Sequence, residues 1–314
     1  MLTTGGDAPG MNPAIRSVVR YGISQKLEVM GVFRGWWGLI NEELKVLDHR
    51  SVSGIINQGG TILKTARCAE FRTEEGQARA YSTIKKYGID GLVIIGGNGS
   101  FAAGHEFYKK YKVPVVGIAA SIDNDINGID YTIGTDTAIN TALDAIDKIR
   151  DTATSMERIF VVEVMGRESG FIALTVALAG GCENVIIPEK VLDLDAICHD
   201  IVHGNLVGKM SWIIVVAEGA GGAEDIAKKI TEITSLESRA VVLGHVQRGG
   251  RPTASSRDLA LNLGKSAVDC LLAGKTDIAV GLAAGRITEV DFEISVKEKE
   301  LKIDNLYNLI KTLT

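Results

Sequence analysis

The chain has 314 residues, of which 46% are hydrophobic and 23% are charged, so it can bury a core of ordinary size, and its length predicts about two domains. Its net charge of −5, with lysine and arginine dispersed, gives no electrostatic basis for binding nucleic acid or an anionic membrane. We expect no transmembrane run and no signal peptide. The four cysteines lack metal-ligand spacing and are typical of reduced thiols in the cytoplasm.

Apolar runs alternate with helical patterns along the chain, which predicts an α/β fold with mostly parallel sheets joined by crossover helices. The predicted strands are 92–95, 115–119, 159–165, 185–187, 212–217 and 239–243. The predicted helices are 13–21, 77–87, 135–150, 192–203, 223–234 and 257–273. A domain boundary is expected near Thr135, where the long third helix of this set begins.

Two glycine-rich segments each precede a predicted helix. Residues 5–10 (GGDAPG) lead into Asn12, expected as the N-cap, and Pro13, which suits the first helical position. Residues 96–100 (GGNGS) follow a predicted strand, and Ser100 is expected to cap a helix that ends at Tyr111. Such turns let main-chain N–H groups approach phosphate oxygens at a helix N-terminus.

Polar residues follow two further predicted strands. Ser121, Asp123 and Asp125 follow strand 115–119, and two glycine loops beside this acidic loop suggest phosphoryl transfer with a metal ion. The alternative is a turn that satisfies its own N–H groups. The run 240–243, expected to be a buried strand, is followed by a histidine, a glutamine and an arginine at positions 245, 247 and 248. Donors at a strand end can hold an anionic substrate, whereas the alternative is a capped strand and a turn.

With the segments 122–125 (IDND), 165–167 (MGR), 181–183 (GCE) and 244–250 (GHVQRGG), these motifs resemble the bacterial-type, nucleotide-dependent phosphofructokinases over essentially the whole chain. The resemblance implies two Rossmann-like three-layer α/β/α lobes, the phosphofructokinase fold. It also implies transfer of the ATP γ-phosphoryl group to the 1-hydroxyl of fructose 6-phosphate in glycolysis, with Mg²⁺. The nucleotide-binding lobe would comprise 1–134 with 247–300, and the sugar-phosphate lobe 135–246 with 301–314.

The resemblance also implies residue roles at the substrate site. Asp123 would be the general base, Ser121 retains the hydroxyl usual at its position, and Arg167 would steady the transferring phosphoryl group. The other implied substrate-binding residues are Arg158, Met165, Gly166, Glu218, Arg239, His245 and Arg248.

Two of these arginines imply a site shared between subunits. Arg158 and Arg239 each open a predicted strand whose far end, nine residues on, carries another site residue. That separation is roughly 30 Å in an extended chain, so one substrate cannot reach both ends. The resemblance places both arginines in a neighbouring subunit's site within a homotetramer. The alternative is ordinary surface charge.

On the nucleotide side the resemblance implies a set of glycine-loop and neighbouring residues. They are Gly5, Trp36, Arg67, Cys68, Arg72, Gly97, Asn98, Gly99 and Ser100. Trp36 replaces a tyrosine of the family, and lobe packing is its alternative role. Asn98 and Asp125 would ligate Mg²⁺, but Asn98 stands where the family has aspartate and brings no charge.

The resemblance further implies an allosteric nucleotide site, for which the alternative is a solvated basic face. Its residues would be Arg16, Arg20, Arg50, Arg150, Glu183 and Lys209. The family also has a short apolar strand before the first glycine turn, where only Met1, Leu2 and Thr3 stand. We therefore expect either a strand reduced to a stub or a sequence that lacks a few residues.

Three alternative functions stay open at this point: a pyrophosphate-dependent phosphofructokinase, a weakly active or non-catalytic regulatory homologue, and a lipid or NAD kinase. Pyrophosphate users carry an acidic residue at the position of Gly99 and a lysine at that of Ala120, so we expect ATP as the donor. Asn98 favours the regulatory alternative. The last alternative does not explain segment 244–250.

Overall fold

The structure is a computed structural model that describes residues 1–313. The chain forms two compact units: the first comprises Met1–Thr137 and Arg248–Lys299, and the second comprises Ala138–Gln247 and the chain from Glu300 onward. The assignment of nucleotide to the first unit and sugar phosphate to the second stays a prediction.

The strands are β1 (Leu2–Thr3), β2 (Met30–Val32), β3 (Leu44–Val46), β4 (Leu92–Gly96), β5 (Val115–Ser121), β6 (Ile133–Gly134), β7 (Ile159–Val164), β8 (Asn184–Ile186), β9 (Trp212–Ala217), β10 (Ser238–Val242), β11 (Ile278–Ala283) and β12 (Arg286–Asp291). The helices are α1 (Met11–Ser24), α2 (Gly35–Ile40), α3 (Glu74–Lys86), α4 (Asn98–Tyr111), α5 (Thr135–Met156), α6 (Phe171–Ala179), α7 (Leu194–Leu206), α8 (Ala223–Thr234), α9 (Ala254–Leu272), α10 (Phe292–Ser295) and α11 (Asp304–Leu313). None of the helices among residues 1–313 has the length and hydropathy needed to span a bilayer.

The first unit is built on one mixed sheet in the order β12-β11-β5-β4-β1-β2-β3, with β6 paired to β5. Its inner pairs are parallel, and the outer pairs β11–β12 and β2–β3 are antiparallel. β4 is apolar and fully buried, which is typical of an inner strand of a parallel sheet covered on both faces. The short apolar segment before the first glycine turn forms the two-residue β1, which lies between β2 and β4, with Leu2 opposite Val32 and Ile94.

The second unit has a parallel sheet in the order β10-β7-β9-β8. β9 is buried along its whole length, since it is central and packs helices on both faces. The prediction that the strand at 240–243 is buried is wrong, because no residue of β10 is buried. β10 is an edge strand of alternating exposure, and the side chain of Val242 is half exposed.

Both predicted helix caps are also wrong. α1 begins after Gly10, whose φ of 118° needs glycine, and Asn12 lies inside the helix. The Asn12 side chain instead donates to the carbonyls of Gln58 and Gly59 and accepts from the Ile62 amide. α4 begins after Gly97, and the Ser100 hydroxyl donates to the carbonyl of Thr4. Long-range partners therefore replace the local capping bonds.

Candidate active site

The carboxyl ends of β1, β4 and β5 lie at one edge of the first unit's sheet, because these strands run parallel. The loops after β1 and β4 are joined directly. The Thr4 amide donates to the Ile95 carbonyl at 3.1 Å, and the Ser100 hydroxyl donates to the Thr4 carbonyl at 3.0 Å. A Cβ on Gly96 would lie 2.6 Å from that same carbonyl oxygen, so only glycine allows the two loops to approach this closely.

The first glycine loop is exposed at Gly5 and Gly6, and Gly5 has a φ of 86°. Arg248 lies against it. Its Nη1 donates to the Asp7 carbonyl at 3.4 Å and would be 2.5 Å from a Cβ placed on Gly6. This guanidinium therefore adds positive charge beside main-chain N–H groups, an arrangement that suits a phosphate. Its predicted contact with the sugar phosphate stays a prediction.

The acidic loop after β5 is shaped by its own side chains. Asp123 is 2% exposed, and its amide donates to the Ser121 hydroxyl at 3.2 Å. The Ser121 hydroxyl donates to the Asp125 carboxylate at 3.3 Å. Asn124, at a φ of 54°, closes the loop by donating to the Asp130 carbonyl at 2.7 Å and accepting from the Thr132 amide at 3.1 Å. The Ser121 hydroxyl therefore joins the main chain at Asp123 to the carboxylate of Asp125.

The structure brings the two predicted metal ligands together. The Asn98 amide donates to the main-chain carbonyl of Asp125 at 3.0 Å. Asn98 Oδ1 is buried and has no hydrogen-bond partner within residues 1–313. No cluster of three His, Cys, Asp or Glu side chains with metal spacing occurs in that range either. An unsatisfied amide oxygen on a side chain bonded to the main chain of Asp125 nevertheless fits a hard cation that also has phosphate ligands.

In the second unit, a tight turn follows β7 at Met165, Gly166 and Arg167. Gly166 has a φ of 149° and Arg167 a φ of 52°. Glu218, directly after β9, holds this turn, because its Oε1 accepts the amides of Gly166 at 3.1 Å and Arg167 at 2.8 Å. The role of Glu218 as an acceptor for main-chain N–H groups was not predicted from the sequence. Its predicted contact with the sugar stays a prediction.

The sequence grouped Gln247 with His245 and Arg248 as donors that can hold an anionic substrate, but the Gln247 side chain bonds to the main chain instead. It is fully buried, its Oε1 accepts the Met165 amide at 2.8 Å, and its Nε2 donates to the Ala138 carbonyl at 3.4 Å. It lies in a 3₁₀ helix, Gly244–Arg248, that also carries the exposed His245. A polar residue inside the motif 244–250 was the available signal. Its partner lies 82 residues away in sequence.

Arg158 and Arg239 share one carboxylate. Arg158 Nε donates to Glu237 Oε2 at 3.0 Å, and Arg239 Nη2 pairs with Glu237 Oε1. Both arginines lie at the amino edge of the second sheet, whereas the turn at Met165 lies at its carboxyl edge. The structure therefore brings the two arginines to each other and away from Arg167.

Four of the predicted nucleotide-binding residues lie between residues 36 and 72, and they differ in burial. Trp36 is 4% exposed and stacks on Phe71 with ring centroids 4.0 Å apart. This contact fits the packing alternative for Trp36. Cys68 packs against the same core, whereas Arg67 and Arg72 are exposed on either side of Phe71.

The candidate effector residues form one group in each unit. In the first unit, Arg16 donates to the Val52 carbonyl at 2.9 Å. Burial, with Arg20 beside it, lowers the pKa of Arg16. Arg50 is exposed two residues before Val52.

In the second unit, Lys209 pairs with Glu183 at 3.2 Å beside an open cavity of about 390 Å³. Arg150 donates to the carbonyls of Gly180 and Gly181. Cys182 lies in sequence between Gly181 and Glu183, and burial raises the pKa of its thiol to about 12. The predicted effector residues thus form two separate groups, one in each unit, and their binding of a nucleotide stays a prediction.

Comparisons with known proteins all identify the same family. The model that describes the phosphofructokinase family matches residues 1–271. The ATP-dependent 6-phosphofructokinase of Clostridium botulinum strain Hall is 51% identical over 314 residues, which is 100% of this chain and 98% of that protein. The corresponding enzyme of Thermotoga petrophila is 48% identical over the same coverage.

Solved structures share the fold. Saccharomyces cerevisiae phosphofructokinase matches with a TM-score of 0.90 at 33% identity, covering 99% of this chain. The chain spans about half the length of that yeast chain, 47%. The pyrophosphate-dependent phosphofructokinase of Marinobacter aquaeolei has a TM-score of 0.86 over 99% of this chain and 90% of its own, but at 20% identity it shows the fold alone.

Proposed function

The chain belongs to the phosphofructokinase family, and on that premise we propose that it transfers the γ-phosphoryl group of ATP to the 1-hydroxyl of fructose 6-phosphate, giving fructose 1,6-bisphosphate and ADP in glycolysis. One observation carries the proposal: the two glycine loops and the acidic loop that contains the buried Asp123 lie at one sheet edge, where Ser100 bonds to Thr4 and Asn98 bonds to Asp125. The 51% identity to curated ATP-dependent enzymes supports it.

In this reaction the Asp123 carboxylate accepts the proton of the 1-hydroxyl while the sugar oxygen forms its bond to the γ-phosphorus. The bond from that phosphorus to the bridging oxygen breaks, and ADP leaves. A positioned general base contributes a rate factor of about 10²–10⁴. The exposed Arg167 side chain supplies positive charge to the transferring group, and main-chain N–H groups of the glycine loops bind the other phosphates.

Asn98 and Asp125 would hold Mg²⁺ together with phosphate oxygens of ATP. The cation neutralises the charge of the phosphates when it is bound. Asn98 contributes a neutral oxygen and therefore a weaker field than the aspartate usual there. This substitution favours a weakly active regulatory paralogue as the second candidate. Retention of Asp123, Arg167 and Glu218 opposes that candidate.

We assign the binding of fructose 6-phosphate to the turn at Met165–Arg167 and to the side chains of Glu218, His245 and Arg248. In the proposed homotetramer, Arg158 and Arg239 of a neighbouring subunit complete the site. The charged groups around Arg16 and Glu183 would bind a nucleotide effector. We place the enzyme in the cytoplasm, where its substrates and its reduced cysteines belong.

The choice of ATP over pyrophosphate rests on two positions. A Cβ on Gly99 would meet no atom within 4 Å, so the space that an acidic side chain occupies in pyrophosphate users is open. Ala120 carries no charge where those enzymes have lysine. The α-phosphate of a nucleotide can therefore use this region without repulsion.

A coupled assay on the purified full chain tests the proposal, with ATP and pyrophosphate offered separately. We expect turnover of fructose 6-phosphate with ATP and loss of that turnover in Asp123→Ala. Faster turnover with pyrophosphate would contradict the donor assignment. Binding of fructose 6-phosphate in calorimetry without turnover would support the regulatory paralogue instead.

A further inference from the structure

Lys299 reaches the acidic loop from a distant part of the first unit. It follows α10 and is the last residue of that unit along the chain. Its side chain is partly buried, and its Nζ donates to the main-chain carbonyls of Asn124 and Ile129, at 2.7 Å each. One ammonium group thus joins two points of the loop that carries Asp123 and Asp125.

The bonded carbonyls determine the shape of this loop. The Asn124 carbonyl belongs to the peptide bond that links Asn124 to Asp125, so its direction sets that of the following carboxylate. Asn124 also adopts a φ of 54°, which is uncommon for a side-chain-bearing residue and needs support from its surroundings. Its side chain closes the loop from within, and Lys299 closes it from outside.

The positive charge of Lys299 also suits its position beside the acidic loop. Burial lowers the pKa of its ammonium group, while Asp130 and Asp125 act in the opposite direction. A buried cation is retained when it is hydrogen-bonded and faces opposite charge. Bonds from a charged donor are also stronger than those between neutral groups, so this contact restrains the loop more than an ordinary turn bond would.

We propose that Lys299 is a positioning residue for phosphoryl transfer, which holds the 124–129 loop so that Asp123 and Asp125 face the reacting groups. This inference rests on the proposed function. A purely structural lysine would stabilise the unit without affecting the reaction. The ion pair of Lys275 with Glu289, also in the first unit and away from the acidic loop, supplies the matched comparison, since Lys275 Nζ lies 2.7 Å from Glu289 Oε1.

The test uses the full chain with Lys299→Met, Lys299→Gln and Lys299→Arg, and Lys275→Met as the control. Hydrogen–deuterium exchange of peptides covering 122–130 reports on the loop without any activity. We expect exchange there to rise about tenfold or more in Lys299→Met, because bonds to a charged group are lost. Lys299→Gln should be intermediate, and Lys299→Arg and Lys275→Met should stay near wild type.

The kinetic arm separates positioning from stability. We expect kcat to fall about tenfold in Lys299→Met, while KM for fructose 6-phosphate changes less than about threefold, because most sugar contacts lie elsewhere. Lys299→Arg should recover most of kcat. Unchanged exchange in 122–130, or an unchanged kcat in a destabilised Lys299→Met, overturns the proposal. If Lys299→Met does not fold, Lys299→Gln decides by the same two measurements. A wild-type chain without turnover defeats the proposed function, whereas the exchange data still decide whether Lys299 holds the loop.

Discussion

The side-chain amide of Asn98 donates a hydrogen bond to the main-chain carbonyl of Asp125 at 3.0 Å. The contact joins the start of α4 to the acidic loop and leaves Asn98 Oδ1 buried without a hydrogen-bond partner among residues 1–313. The neutral side chain of one predicted metal ligand, Asn98, is therefore bonded to the main chain of the other, Asp125. In the free protein, an aspartate here would place a carboxylate against a carbonyl oxygen.

We predict that Asn98→Asp lowers the Mg²⁺ concentration needed for half-maximal rate, because a charged oxygen replaces a neutral one. In EDTA the same variant should be less stable by about 1 kcal/mol, since the bond to Asp125 is lost. Titration of the rate with Mg²⁺ and thermal unfolding with and without MgATP measure both effects. An unchanged Mg²⁺ titration would show that Asn98 does not face the metal.

Asp123→Ala is predicted to lower kcat by at least about 10², the lower end of the contribution of a positioned base. Asp123→Asn should cost a similar factor, although it keeps the shape of the side chain. The coupled assay measures both rates, and circular dichroism checks that the variants fold. Near-normal kcat in Asp123→Asn would remove the catalytic assignment.

Gln247→Leu is predicted to raise KM for fructose 6-phosphate more than it lowers kcat. The variant leaves the buried Met165 amide without its acceptor, which costs about 1–3 kcal/mol and loosens the turn at Met165 and Gly166, to which sugar binding is assigned. Gln58→Leu is the control, because its side chain donates to the Gly54 carbonyl at the surface. Equal kinetics in the two variants would show that Gln247 does not act on the substrate site.

Arg158→Ala and Arg239→Ala are each predicted to weaken fructose 6-phosphate binding by about tenfold or more, if these groups bind a phosphate across subunits. Lys148→Ala removes a surface ion pair with Asp144 in the same unit and should leave saturation unchanged. Glu237→Gln should strengthen binding, because it releases both arginines from their shared carboxylate.

Mixing subunits tests the shared site directly. Combining Arg158→Ala with Asp123→Ala subunits should regenerate some sites in which both residues are intact. Activity above that of either parent would support exchange between subunits. A strictly monomeric protein with full substrate affinity would contradict the shared site.

The raised pKa of the Cys182 thiol predicts that the free energy of unfolding decreases at alkaline pH. Its thiol pKa is raised from 9.0 to about 12 by burial, so between these values the unfolded chain releases a proton that the folded chain keeps. Stability from this group is complete below pH 9 and falls as pH rises towards 12. At pH 10 the loss is on the order of 1 kcal/mol. Urea unfolding at pH 8 and 10 should show a smaller loss in Cys182→Ala, and equal losses would refute this assignment.

The sequence by itself determined the fold class, the positions of six of the twelve strands and of most of the longer helices among residues 1–313, and the residues of the acidic loop. Buried parallel strands such as β4 and β9 are continuous apolar runs, and their polar ends mark the site edge whatever the rest of the chain does. The glycine and aspartate motifs kept their order and spacing, so the family could be identified before any geometry was known.

Only the tertiary structure decided which partners the polar side chains take. Asn12 and Ser100 have good capping chemistry, but each finds a partner far along the chain. The run 240–243 is apolar like a central strand, yet β10 lies at a sheet edge because no further strand pairs with it within residues 1–313. Gln247 meets Met165 across 82 positions and Lys299 meets Asn124 across 175. Local sequence encodes propensity and hydrophobic period, whereas these bonds depend on packing that brings distant segments within about 3 Å.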